Sequence, residues 1–263
     1  MTTFKVRSKD GTLIACERSG TGPALVLVHG TSADHTRWKL VLPMLEKKFT
    51  VYAVDRRGRG QSGDSAVYSI EREYEDIAAV VDSIQEPVNL LGHSYGALIC
   101  LEAALRVSNL NKLILYEPAL STGAAFYPPS LRTRIQDLID SGNREEALIL
   151  FFHEIVGLSE KQIAAFRKEP EWADRLMAAH TIPREFVADD YILDPRRFGN
   201  LNVPTMLLQG SESPDFLRTA TQIVHSALPN SRLVTMSGQQ HIAMGTAPKM
   251  FVHLVTQFLT ESV

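Results

Sequence analysis

Residues 92–96, Gly92-His93-Ser94-Tyr95-Gly96, set a serine between two glycines at the spacing Gly-x-Ser-x-Gly. A hydroxyl attacks an acyl carbon only when a base removes its proton and donors await the charge that develops on the carbonyl oxygen. The apolar run 88–91 leads in like a buried strand, and Ala97-Leu98-Ile99-Cys100-Leu101 leads out like a helix. So few residues between strand and helix demand a very tight turn, which lifts one side chain above the sheet. Gly92 and Gly96 lack the Cβ that would hold helix and strands apart. Ser94 is therefore the candidate nucleophile, and the N–H of Tyr95 falls at a helix start, where no carbonyl precedes it. Without the flanking strand and helix the same five residues would read as a Gly-Ser turn between core elements.

The rest of the chain must position that serine. At 263 residues, 44% hydrophobic and 22% charged, it is long enough for one large α/β domain or a core domain with an insertion. A formal net charge of −3 leaves no footprint for nucleic acid or an anionic membrane, and no stretch is long and apolar enough to span a bilayer. Cys16 and Cys100 stand far apart in no metal-ligand spacing, which fits free thiols in a reducing compartment. The first residues show no apolar signal core, so a cytoplasmic location is expected. No metal, nucleotide or flavin motif appears, and no cofactor is expected. The expected partner is a small-molecule substrate, and homo-oligomer formation stays open.

In chain order, residues 4–7 and 13–17 around Asp10-Gly11 read as a hairpin. Residues 24–28 and 51–55 are continuous apolar strands of the kind buried on both faces of a parallel sheet. An amphipathic segment runs between them from Trp38 to Leu45. The loop Arg56-Arg57-Gly58-Arg59-Gly60 is basic and mobile in composition, fits no P-loop, and is expected to be structural or solvated. A helix over 71–84 precedes the nucleophile strand, and residues 113–116 form the next strand. From 121 to about 200 the strand rhythm stops and helices are expected over 131–139, 145–156, 160–167 and 172–180. Phe126, Tyr127, Phe151, Phe152, Phe166, Trp172, Phe186, Tyr191 and Phe198 fall there, which points to a lid over an apolar pocket. Strands over 203–210 and 232–236 and helices over 220–227 and 248–259 complete the chain. Strands alternating with helices argue for a parallel, doubly wound sheet.

Taken together, the strand before His29-Gly30, Asp55-x-x-Gly58-x-Gly60-x-Ser62, Gly92-x-Ser94-x-Gly96, the helical insertion and Gly238-x-x-His241 resemble an α/β-hydrolase over nearly the whole chain. The resemblance implies an α/β fold: a mostly parallel sheet formed by 1–120 and 200–263, with a helical cap over 121–199. It implies that Ser94 attacks, that His241 acts as general base and then acid, and that the N–H groups of Thr31 and Tyr95 hold the oxyanion. His241 lies on a loop after the last strand, where this fold carries its base. The family's acid commonly sits three residues past the glycine ending the seventh strand, and here that position is Ser213. Glu117, ending the strand after the nucleophile's helix, is the first choice in its place, with Asp215 and Glu212 as alternatives. Trp38, Tyr95 and Met244 are expected on the pocket wall.

Three functions compete on these residues. The leading one is hydrolysis of an ester or lactone of a mostly apolar small molecule through an acyl-enzyme. The same Ser-His pair could instead cleave a C–C bond or perform cofactor-free perhydrolysis. A small-molecule receptor that retains the pocket is the reading from another class.

Overall fold

The computed structural model describes residues 2–123 and 128–261. Phe126 and Tyr127, expected among the aromatics of the insertion, lie outside the described residues. The elements run β1 (Thr2–Arg7), β2 (Leu13–Ser19), β3 (Ala24–Val28), α1 (Leu42–Leu45), β4 (Thr50–Val54), α2 (Ile70–Asp82), β5 (Val88–His93), α3 (Tyr95–Ala103) and β6 (Leu110–Tyr116). After β6 come α4 (Pro129–Asp140), α5 (Arg144–Glu154), α6 (Glu160–Phe166), α7 (Trp172–Ala178) and α8 (Ile182–Glu185). The chain closes with β7 (Thr205–Gly210), α9 (Asp215–Ala227), β8 (Ser231–Met236), α10 (Ala243–Thr246) and α11 (Pro248–Thr260).

The strands form one eight-stranded sheet in the order β1-β2-β4-β3-β5-β6-β7-β8. The β1–β2 hairpin joins antiparallel, and the other six strands are mutually parallel. β3, β4, β5 and β7 are buried along their whole length, which is why they read as unbroken apolar runs. Alternate residues serve opposite faces. Val26, Leu90, Leu113 and Leu207 pack with α2, α3 and α9, while Leu27, Leu91, Ile114 and Leu208 pack with α1, α10 and α11. Each such side chain contributes about 1.5–3 kcal/mol on leaving water. The chain turns one way from β3 to β4 and then crosses back to β5, so the loops after β3 and β5 diverge and open a crevice at the C-terminal ends of the strands.

The amphipathic segment 38–45 comprises the end of a 3-10 turn over His35–Trp38 and the single turn of α1, which starts at Leu42-Pro43, where proline has no N–H to extend a helix backwards. Of the two roles expected for the basic loop, the structural one holds and the solvated one does not. Arg56, Arg57 and Arg59 are buried and each meets carboxylates: Arg56 binds Glu73 at 2.8 Å and Glu185 at 2.7 Å, Arg57 binds Asp76 at 2.6 Å and Asp10 at 2.9 Å, and Arg59 binds Glu185. Guanidinium groups this deep persist because each carboxylate offsets their desolvation.

Helices α4–α8 enclose a core of their own, built from Leu131, Ile135, Leu148, Phe152, Trp172 and Ile182 among others. Ser159 starts α6 with a capping box: its backbone N–H donates to Gln162 Oε1 at 2.9 Å, and its side chain accepts from the Gln162 N–H. Tyr191 and Phe198 pack instead on the sheet side, so the helical layer ends near α8. Polar contacts tie it to the sheet: Arg175 donates to the Ser32 carbonyl at 2.9 Å, Arg184 meets Asp64 at 2.9 Å, and Lys39 meets Glu171 at 2.7 Å. Among the described residues, no helix is long and apolar enough to cross a membrane.

Candidate active site

Among the described residues, three other than glycine have positive φ: Ser32 at 53°, Ser94 at 57° and Glu117 at 44°. They follow β3, β5 and β6, three adjacent strands, at the same edge of the sheet. Each such conformation costs on the order of 1–3 kcal/mol and persists only where its surroundings impose it. At Ser94 the ladder does so: its N–H donates to the Tyr116 carbonyl at 2.9 Å, and its carbonyl accepts from Ala97 at 2.9 Å and Ala119 at 3.2 Å. The loop after β3 lies directly against this turn. A Cβ on Gly30 would stand 2.9 Å from the Ser94 Cβ, and one on Gly96 would stand 2.3 Å from the His29 carbonyl oxygen. Only glycine permits either approach.

Glu117 is fully buried and its two carboxylate oxygens do separate work. Oε1 accepts from the Gly210 N–H at 2.7 Å, and Oε2 lies 2.5 Å from His241 Nδ1. The parallel pairing of β6 with β7 puts Gly210 within reach, and Gly210 in turn leaves room for the loop of His241, since a Cβ there would meet the Gln239 carbonyl oxygen at 2.2 Å. That loop is pinned from beneath. Tyr116 Oη donates to the Gln240 carbonyl and accepts from the Ala243 N–H at 3.1 Å, and His93 Nε2 lies 2.8 Å from the His241 carbonyl oxygen. Burial, with His241 beside it, pushes His93 well below the usual imidazole range, so it is neutral and Nε2 carries the proton it donates. Asp215 and Glu212 are placed elsewhere. Asp215 is exposed at the start of α9 beside Arg218, and Glu212 is exposed with its backbone N–H on the Gln239 carbonyl.

A serine on a strand-to-helix turn, a buried carboxylate and a histidine from the loop after the last strand thus meet on an eight-stranded sheet. The sequence profile of the alpha/beta hydrolase family matches residues 25–254. The chain belongs to that family. It is 34% identical to an alpha/beta hydrolase from Sphaerobacter thermophilus, with a TM-score of 0.86 over 98% of this chain and all of that one. An esterase from Rhodococcus sp. ECU1013 shares the fold at 24% identity and a TM-score of 0.80, over 99% of both chains. Among curated proteins, a proline iminopeptidase from Thermoplasma volcanium is 23% identical over 94% of this chain and 92% of its own length. An α/β-hydrolase fold and hydrolase character follow.

In this hydrolase two cavities meet at Ser94, and Thr31, Ser94, Phe151, Val156 and His241 line both. The larger of the two runs under the helical layer past Tyr95, Leu120, Ile182 and Leu217. Tyr95 also opens α3, where its N–H has no preceding carbonyl in the helix. The second arm is lined by Phe152, Leu158 and Phe166 together with Arg37 and Arg175. Trp38 and Met244 do not stand on these walls. Trp38 is fully buried in the core, its ring 6.4 Å from Phe251, and Met244 is buried with its sulfur 3.0 Å from Arg37. Their proximity to the site in sequence reflects packing beneath the loops. Asp34, His35 and Asp55 bring ligand-type atoms within 4.8 Å of one another, but those atoms serve the loop itself. His35 Nδ1 is 2.7 Å from Asp55, and Asp34 accepts from the Thr36 N–H at 2.8 Å. Tyr116, Arg37 and Arg175 escaped the sequence reading because each acts across more than 100 residues of chain.

Proposed function

We propose that this hydrolase cleaves a carboxylic ester, open-chain or lactone, through an acyl-enzyme on Ser94. One observation carries the reading: His241, bound through Nδ1 to the buried carboxylate of Glu117, lines the same cavities as Ser94. With its Nδ1 proton directed at Glu117, the imidazole presents the Nε2 lone pair to the cavity. Nε2 takes the Ser94 proton as Oγ bonds to the acyl carbon. The carbonyl oxygen becomes an oxyanion and accepts hydrogen bonds from the Thr31 and Tyr95 N–H groups, each worth about 3–4 kcal/mol to the transition state. As the tetrahedral intermediate collapses, the C–O bond to the leaving group breaks and His241 returns the proton to it. Water, activated by the same imidazole, then releases the acid and restores Ser94. The helical layer α4–α8 acts as a lid, and its apolar arm takes a substrate with a substantial hydrophobic part.

The test is steady-state and burst kinetics on 4-nitrophenyl esters of graded acyl length, with Ser94→Ala alongside. Turnover lost in Ser94→Ala supports the acyl-enzyme, and the optimal chain length sizes the apolar arm. Turnover that survives in Ser94→Ala, or none in the wild type on any ester, overturns it.

A further inference from the structure

Arg37 and Arg175 both line the second cavity arm beside Ser94, yet among the described residues neither forms an ion pair. Arg37 Nη2 reaches only the Met244 sulfur at 3.0 Å, a weak acceptor. Arg175 gives one Nη to the Ser32 carbonyl at 2.9 Å, and its guanidinium carbon lies 5.8 Å from the Phe152 ring centre and 5.6 Å from that of Phe166. Four acids lie near Arg175 without pairing with it: Glu171 and Glu169 hold Lys39 at 2.7 and 3.4 Å, Asp34 holds Thr36, and Asp174 is exposed to solvent. The contrast with Arg56, Arg57 and Arg59 is direct, since every one of those meets a carboxylate.

Two half-buried guanidinium groups on one cavity wall, neither ion-paired among the described residues, leave charge-assisted donors available to a ligand. Burial, with Arg175 next to it, pulls Arg37 down to about 10, which still leaves it charged at neutral pH. The planar donor fork of arginine fits a carboxylate in a low-dielectric arm, where charge-assisted bonds are strong. Resting on the ester reading for the scissile bond, we propose that Arg37 and Arg175 bind a free carboxylate of the substrate. The substrate is then an ester acid, with its apolar part in the arm under Leu120 and Ile182 and its carboxylate across the scissile bond.

Matched pairs test this on the whole chain: monobenzyl glutarate against benzyl 5-methylhexanoate, and 4-(benzoyloxy)butanoate against 4-methylpentyl benzoate. Each pair differs in charge at nearly constant shape, and acid release is followed directly. The expected result is a kcat/KM preference for the acid of at least about tenfold in one pair, reduced about tenfold or more in Arg37→Met and in Arg175→Met and partly kept in Arg37→Lys. Glutarate should also raise the melting temperature of Ser94→Ala, a readout that needs no turnover. Equal rates within each pair and no glutarate shift, with the neutral esters still cleaved, overturn the carboxylate site and leave the ester reading standing. A glutarate shift with none of the four esters cleaved does the reverse. A larger shift with inorganic phosphate than with glutarate overturns the carboxylate assignment.

Discussion

The Glu117 carboxylate accepts from Gly210 through one oxygen and meets His241 through the other, so a change there acts on both the histidine and its loop. Glu117→Gln keeps the shape, but its amide nitrogen must face either Nδ1, favouring the tautomer in which Nε2 carries the proton, or the Gly210 N–H, which then loses its acceptor. Turnover on esters is expected to fall about 10³–10⁴-fold with the melting temperature little changed. Asp215→Asn is expected to stay within about twofold of wild type, because that side chain is exposed and paired with Arg218. The reverse outcome in steady-state assays would move the acid to the loop after β7. Ser94 is legible in the sequence because a turn this tight needs neighbours at fixed local spacing. Glu117 is legible only as one choice of three, since its partner lies 124 residues away and depends on the pairing of β6 with β7. Arg37 and Arg175, which meet no carboxylate among the described residues, are not legible at all: charge in a sequence does not say whether an acid stands opposite.

Among the elements, the loops at the strand ends matter most. Gly210→Ala drives a Cβ into the Gln239 carbonyl, and the segment carrying His241 must shift. A loss of about 1–3 kcal/mol in stability and at least tenfold in kcat is expected, measured by denaturant melts and ester assays on the same sample. His35 offers a second test, on the loop after β3. Its hydrogen bond to Asp55 raises it to about 9, against burial, with Glu17 3.3 Å from its other nitrogen. Because the folded value exceeds the unfolded value near 6.5, this stabilisation is complete below about pH 6.5 and is lost as pH rises through 9. Thermal melts between pH 6 and 9.5 should therefore fall more steeply for wild type than for His35→Gln. The parallel strands and insertion helices were readable because burial on both faces and caps such as Ser159 leave local traces. The amphipathic spacing over 38–45 does not show the break before α1, which comes from Pro43 in its first turn.

On the scale of the whole molecule, the helical layer and the sheet are joined through Glu185, which binds Arg56 and Arg59. Glu185→Ala leaves Arg59 buried without its close carboxylate, and a loss of about 3–5 kcal/mol is expected in equilibrium unfolding. The composition announced the arginines of this network as a basic loop, and only the fold supplied the acids that bury them. Glu185 also lines the apolar arm, so one side chain belongs at once to the pocket wall and to the joint between layers. This sets how the protein can change its diet. In a library randomised along the arm and selected for new esters, wall positions such as Val156 and Leu120 are free to drift. Position 185 is expected to return as Glu in nearly every folded survivor, so new specificity must be sought around it.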